Sequence, residues 1–229
     1  MRRTGRKEPV ITIDGPAGAG KSTVARELAR RLGFSLVSTG ALYRALAWAV
    51  KQAGVAPEEG PALSALLDRT TVALAAGSRV LVNGRDVTGL IRTPEISEIT
   101  SQLTKLRPVR DKMMPVQRGL AALGGVVLEG RDTGSVVWPQ AEVRFYLDAD
   151  LEARARRRQA DLRAQGVEMA LAAVKQDVAA RDRQDMGRPL APLVKPEGAY
   201  VVDSTALTLD EVVEIMLRAV EQVWCCTER

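Results

Sequence analysis

The chain has 229 residues, 46% of them hydrophobic and 27% charged, with a formal net charge of +5 and no histidine. That balance belongs to a globular protein with room for one substantial core, and no run approaches the roughly 18 uninterrupted apolar residues of a membrane-spanning helix. The adjacent pair Cys225 and Cys226 excludes a disulfide framework and, without histidine, makes a poor metal site. The N-terminal MRRTGRKEP is basic but lacks the apolar stretch of a secretory signal, so a reducing cytoplasm is expected.

The first apolar run, VITI (10–13), reads as a strand and leads directly into GPAGAGKST (15–23). The match to G-x-x-x-x-G-K-[ST] is complete at Gly15, Gly20, Lys21 and Ser22. Glycines let the backbone wrap a phosphate chain with its N–H groups turned inward. Gly15, Pro16, Ala17, Gly18, Ala19, Gly20, Lys21, Ser22 and Thr23 therefore form the expected triphosphate site. Lys21 would reach the β- and γ-phosphates, and the Ser22 hydroxyl would hold Mg²⁺. Downstream, VARELARRL places Val24, Leu28 and Leu32 on one helical face. A second strand at FSLV (34–37) is followed by ALYRALAWAV, a helix with Leu42, Ala45, Leu46 and Ala49 on one side.

Residues 57–100 break the alternation of strand and helix. They contain TVAL, RVLV, an Asn83-Gly84 turn and RDV, which together read as antiparallel strands in a small insertion. Strands resume at VVL (126–128), VRFYL (143–147) and AYVV (199–202). Between the last two, residues 151–188 hold eight arginines with Glu152, Asp161, Glu168, Asp177, Asp182 and Asp185 interleaved. This stretch reads as a solvated helical pair or as a mobile lid over phosphates. The interleaved acids and an aromatic content of only 3% argue against a nucleic-acid partner. TLDE then opens the last helix as a capping box from Thr208 to Glu211, with Val212, Met216, Val220 and Val223 on its buried side. The alternation implies an α/β fold, a P-loop three-layer sandwich on a five-stranded parallel sheet with the ligand at the carboxyl ends of the strands.

A P-loop alone leaves GTPase, motor and small-molecule kinase open. No guanine-reading N-K-x-D occurs, and no hydrophobic run ends in the paired acids of a motor. Three further stretches are informative: STGALYR (38–44), EGRDTGSVVWP (129–139) and RDRQDMGRPLAPL (181–193). With the P-loop, and in the same order and spacing, they make the chain resemble the bacterial cytidylate kinase family, the CMP kinases of the nucleoside monophosphate kinase group, from about Val10 to Val223. The resemblance implies one P-loop domain. Its core would take about 9–38, 102–150 and 189–229, its monophosphate-binding insertion about 39–101, and its helical lid about 151–188.

The resemblance also implies roles. Thr39 and Arg44 match positions beside the monophosphate, and Arg131 and Arg188 match arginines that hold its phosphate, a task suited to the planar guanidinium fork. Read without the family, Arg44 would be a surface arginine covering the core. Ser101, Arg110 and Asp132 match the cytosine-reading set, and Arg181 and Asp185 match ribose contacts. Asp132 and Asp185 have an alternative reading as acids that hold nearby arginines in place. Arg154, Arg157 and Arg158 lie where the family keeps lid arginines for the transferring phosphoryl, and Glu129 is a candidate for the Mg²⁺ water shell. Ser38 departs from the pattern, because many relatives carry an aspartate there. The expected activity is transfer of the γ-phosphoryl of Mg-ATP to CMP and dCMP by a monomer. The alternatives are a nucleoside monophosphate kinase of other base preference and a non-catalytic nucleotide- or nucleic-acid-binding protein.

Overall fold

A computed structural model describes residues 8–164 and 166–226; the basic N-terminal stretch and the side chains of Cys225 and Cys226 lie outside the described residues. The chain opens with β1 (Val10–Asp14), α1 (Lys21–Leu32), β2 (Ser35–Ser38) and α2 (Thr39–Gln52). It continues through α3 (Pro61–Arg69), β3 (Val72–Ala75), β4 (Arg79–Val82), β5 (Arg85–Asp86), α4 (Pro94–Leu103) and α5 (Arg107–Ala121). Then come β6 (Val126–Glu129), β7 (Val143–Asp148), α6 (Leu151–Ala164), α7 (Leu171–Met186), β8 (Tyr200–Asp203) and α8 (Leu209–Cys226). Two compact units result, Met1–Leu36 with Gly124–Arg229, and Val37–Leu123.

The first unit carries a five-stranded sheet in the order β2-β6-β1-β7-β8. β1 pairs in parallel with β6 and β7, and β7 with β8. Every residue of β1 is buried, the pattern of a central strand covered on both faces rather than of an alternating surface strand. Ile11 and Ile13 join Phe145, Leu147 and Val202 in a core completed by Val24 and Leu28 of α1 and Val212, Met216 and Val220 of α8. α8 begins as its sequence predicts. The Glu211 carboxylate accepts from Thr208 N at 2.8 Å, and Thr208 Oγ1 accepts from Glu211 N at 3.3 Å.

α6 and α7 pack on each other around a second, smaller cluster. Ala155, Leu162, Val174 and Val178 meet Ala17 of the glycine loop, with Leu151, Val167, Met169 and Leu171 partly buried around them. The arginine-dense stretch is thus a solvated helical pair on its outer side and a packed one within.

The second unit is built around α2, whose Leu42, Ala45, Leu46 and Ala49 are all buried as their spacing predicts. α2 packs on α4, β3 and β4, while α3 packs on α5. β3, β4 and β5 form an antiparallel sheet. Asn83 (φ 49) and Gly84 (φ 80) make the tight turn between β4 and β5, which needs two left-handed residues in succession. This unit extends through α5 to Leu123.

Candidate active site

At the end of β1 the backbone turns through conformations only glycine adopts easily. Gly15 has φ 151, and a Cβ there would run into the Leu147 carbonyl of β7. Gly18 has φ 76, and its Cβ would lie 2.7 Å from the Arg154 carbonyl oxygen. α1 starts immediately after, so the loop leads into a helix N-terminus whose free N–H groups and dipole favour a phosphate.

Lys21, the first residue of α1, is buried, and its Nζ donates to Pro16 O at 2.7 Å. Burial, and after it the neighbouring Arg131, push its ammonium well below the ordinary lysine range, against the opposing pull of Glu129, Asp14 and Asp185. Ser22 Oγ donates to Glu129 Oε1 at 3.0 Å, from the helix to the last residue of β6. A hydroxyl beside one carboxylate fits Mg²⁺, which takes few protein ligands and fills its octahedron with phosphate oxygens and water. Among the described residues no group of three or more His, Cys, Asp or Glu could hold a metal alone.

Asp14 closes β1 on the opposite face from Ile13. It is fully buried, its Oδ1 accepting from Thr133 N at 2.8 Å and Thr133 Oγ1 at 2.7 Å, its Oδ2 from Gly134 N at 2.7 Å. Burial pushes its pKa up to about 6, although the bonds from Gly134 and Thr133 work the other way. Asp14 thereby fixes a turn of π-helix at Thr133–Val137, directly after Arg131 and the buried Asp132.

Arg131 leaves the end of β6 and donates from Nε to Asp185 Oδ2 of α7 at 2.9 Å. Arg188 Nη2 lies 3.3 Å from Asp185 Oδ1, and its Nε donates to the Asp185 carbonyl at 3.4 Å. One carboxylate thus orients two guanidinium groups, the geometry of an arginine-holding acid.

Arg154, Arg157 and Arg158, three of the five arginines of α6, differ. Arg154 is buried, donates from Nε to Ala149 O at 2.9 Å and from Nη1 to Ala17 O at 3.1 Å, and pairs with Asp182. Arg157 donates to Ser204 Oγ at 2.9 Å and Ser204 O at 2.6 Å. Arg158, like Arg181 on α7, is half-buried. Arg154 and Arg157 therefore bind main-chain carbonyls around the glycine loop.

In the second unit, Ser38 supplies the N-cap of α2, its Oγ accepting from Ala41 N at 3.3 Å. A serine performs that task without the charge of an aspartate. Thr39 is buried in the first turn, and Arg44 lies one turn on, its Nη1 3.8 Å from the position a Cβ on Gly40 would take. Ser101 and the buried Arg110 meet at Thr104. Thr104 Oγ1 donates to Ser101 O at 3.3 Å, and Arg110 Nη1 donates to Thr104 O at 3.5 Å.

The family model for cytidylate kinase matches residues 11–222. The chain belongs to the cytidylate kinase family. It is 48% identical over 218 residues to a cytidylate kinase of Symbiobacterium thermophilum, covering 93% of this chain and 96% of that one. It is 45% identical over 219 residues to a cytidylate kinase of Geobacter sulfurreducens, covering 94% of each. Among solved structures, an uncharacterized protein from Eubacterium ventriosum shares the fold at a TM-score of 0.52 and 13% identity, covering 94% of this chain and 99% of that one.

Within this cytidylate kinase framework two buried acids stand out that sequence reading did not assign to the site, Asp14 and Asp182. Asp14 carries a signal in retrospect, a carboxylate ending an otherwise uncharged strand immediately before the glycine loop. Asp182 carries none, because its partner Ala17 lies 165 residues away in sequence.

Proposed function

We propose that this chain transfers the γ-phosphoryl group of ATP to CMP, and to dCMP in the same way, giving ADP and CDP or dCDP. The observation that carries this reading is the Arg131–Asp185–Arg188 group, held in one unit with a complete P-loop in a member of the cytidylate kinase family. Two oriented guanidinium forks suit the doubly charged phosphate of a nucleoside monophosphate.

The Gly15–Thr23 loop holds the triphosphate through its N–H groups, and Lys21 offsets the charge that grows on the transferring phosphoryl. Ser22, with Glu129 acting through the metal's water shell, would hold Mg²⁺, which would supply further charge neutralisation. An oxygen of the CMP phosphate forms the new bond to the γ-phosphorus while the bond to the β–γ bridging oxygen breaks, and ADP leaves. No covalent enzyme intermediate is needed, so catalysis consists of alignment and electrostatics. Arg131 and Arg188 hold the acceptor phosphate, with Thr39 and Arg44 beside it. Arg181 and Asp185 contact the ribose, Asp185 also orienting both arginines. Ser101 and Arg110 donate to the acceptor atoms of cytosine, and Asp132 accepts from its amino group. Uracil would set a carbonyl against that carboxylate, a mismatch that can cost as much as ~10⁴ in selectivity. Arg158 completes the lid's contribution to the phosphoryl. The reading extends to a cytoplasmic monomer; among the described residues no helix is long and apolar enough to cross a membrane.

The test is a coupled assay of ADP release with CMP, dCMP, UMP and AMP as acceptors. CMP and dCMP should be preferred by orders of magnitude in kcat/KM. Equal turnover of UMP or AMP would overturn the base assignment, and no turnover with any acceptor would overturn the kinase.

A further inference from the structure

We infer that Asp182 is a positioning residue for Lys21, acting through the single peptide group that joins Pro16 to Ala17. The inference deepens the reading above and rests on its triphosphate site, not on the identity of the acceptor. A trans peptide is planar, with its N–H and C=O pointing in opposite directions. On one edge of this peptide, Ala17 N donates to Asp182 Oδ1 of α7 at 2.9 Å. On the other edge, Pro16 O accepts from Lys21 Nζ at 2.7 Å. Holding the N–H therefore aims the carbonyl that holds the ammonium.

The grip is tight on both sides of Ala17. Arg154 Nη1 donates to Ala17 O at 3.1 Å and pairs with the second carboxylate oxygen of Asp182, while its Nε is fixed on Ala149 O at 2.9 Å. Asp182 is 6% exposed and Arg154 9%, so water does not compete for these bonds. Gly18 lies so close to α6 that a Cβ would approach the Arg154 carbonyl oxygen to 2.7 Å, leaving the loop no room to slide. Lysine has four rotatable bonds and a compact charge, so it locates itself poorly without an anchor. With one ammonium proton on Pro16 O, two remain for phosphate oxygens. An ion pair that only fastened α7 would have no need to engage the N–H of that peptide.

The test is a double-mutant cycle read by equilibrium binding of a fluorescent, non-hydrolysable ATP analogue, so that it does not depend on turnover. Asp182→Asn keeps the side-chain volume but has one acceptor oxygen where two are used. It should weaken analogue binding about tenfold and lower kcat about 10- to 100-fold, with the CMP KM within about threefold of wild type. In a Lys21→Ala background the same substitution should change analogue affinity less than about twofold, because the group it positions is gone. Arg154→Lys keeps the buried charge but replaces the separated Nε and Nη1 donors of the planar guanidinium with a single nitrogen. It should repeat this pattern and carries the cycle if Asp182→Asn does not fold. Equal effects of Asp182→Asn in both backgrounds, or a lower Tm with kcat and analogue affinity unchanged, would overturn the inference. Failure of the wild type to turn over CMP would remove the kinase reading and leave the binding cycle intact.

Discussion

Ile11, Ile13, Leu28, Phe145 and Met216, each fully buried, hold the five-stranded sheet between its helices. The α6–α7 pair closes instead over Ala155, Leu162, Val174 and Val178, with Ala17 of the glycine loop as its link to the sheet. Full burial of a large apolar side chain stabilises by roughly 1.5 to 3 kcal/mol, so the sheet side holds several times the driving force of the helical pair. What the pair lacks in apolar area it replaces with charge. Arg154 and Asp182 are buried together, and Lys175 Nζ meets Glu152 Oε2 at 2.8 Å on the solvated side. An exposed pair of that second kind contributes little to stability. The difference teaches that the helical pair beside the glycine loop is fastened by fewer apolar and more polar contacts than the sheet. As the lid of the proposed kinase, this pair should open locally without loss of the sheet.

The comparison is broken most directly by a pair of truncations. Leu28→Ala should cost about 2 to 5 kcal/mol of global stability in denaturant unfolding, the range for a buried leucine. Val178→Ala should cost roughly 1 to 2 kcal/mol. Its effect should appear chiefly as faster hydrogen exchange across α6 and α7, reversed when CMP and an ATP analogue bind together. If the two variants lost exchange protection equally over the whole first unit, the helical pair and the sheet would be one cooperative body.

Lys21→Ala separates a residue kept for chemistry from residues kept for packing. It should lower kcat by about 10² to 10³, or roughly 2.7 to 4 kcal/mol of transition-state stabilisation, with a much smaller change in the CMP KM. The Tm should not fall, because the variant removes a desolvated ammonium whose burial already opposes its charge. Near-normal turnover would sink the role given to Lys21.

The same contrast explains what could be read in advance. The β1 strand, the α8 capping box and the Asn83-Gly84 turn were legible because each depends on neighbours within a few residues. α3 escaped notice because its PEEGPAL approach has the composition of a loop, although Pro61 sits in the first turn, where proline is welcome. The inner face of the α6–α7 pair escaped because small and sparse side chains, Ala155 and Val174 among them, leave almost no periodic signal in an arginine-rich stretch. At the proposed site, Lys21 and Ser22 were legible from the P-loop motif and Arg131 from the family resemblance. The use of Arg154 and Arg157 on main-chain carbonyls was not, since no local pattern distinguishes an arginine aimed at phosphate from one aimed at a peptide.

Asp14 sharpens the comparison through pH. Its pKa rises from 3.8 to about 6 through burial, so between those values the folded chain holds a proton that the unfolded chain has released. The stability this group contributes is therefore complete below about pH 3.8 and is lost as the pH climbs to about 6. A shift of that size corresponds to roughly 3 kcal/mol. Thermal melts of wild type and Asp14→Asn from pH 4 to 8 should show this component in the wild type alone. The variant should also be less stable at every pH, because its amide sets a donor against the Gly134 N–H. Parallel melting profiles in the two proteins would show that Asp14 does not titrate in this window.

The finest distinction concerns the acids that lie among the arginines. Asp185 orients Arg131 and Arg188, and Asp132, buried directly after Arg131, is either a second acid of that kind or the reader of cytosine. Asp132→Asn keeps the size of the side chain and exchanges one acceptor oxygen for an amide donor. As a reader, that donor opposes the amino group of cytosine and suits the O4 carbonyl of uracil. CMP should then lose roughly 1.5 to 3 kcal/mol in kcat/KM, the value of one hydrogen bond to a charged group, while UMP gains relative to it. Arg131→Ala should instead weaken CMP, dCMP and UMP by similar factors, because all three present the same phosphate. The discriminating quantity is the CMP to UMP ratio measured across both variants. A ratio that Asp132→Asn leaves unchanged makes Asp132 a holder of arginines, and base selection then has to rest on Ser101 and Arg110.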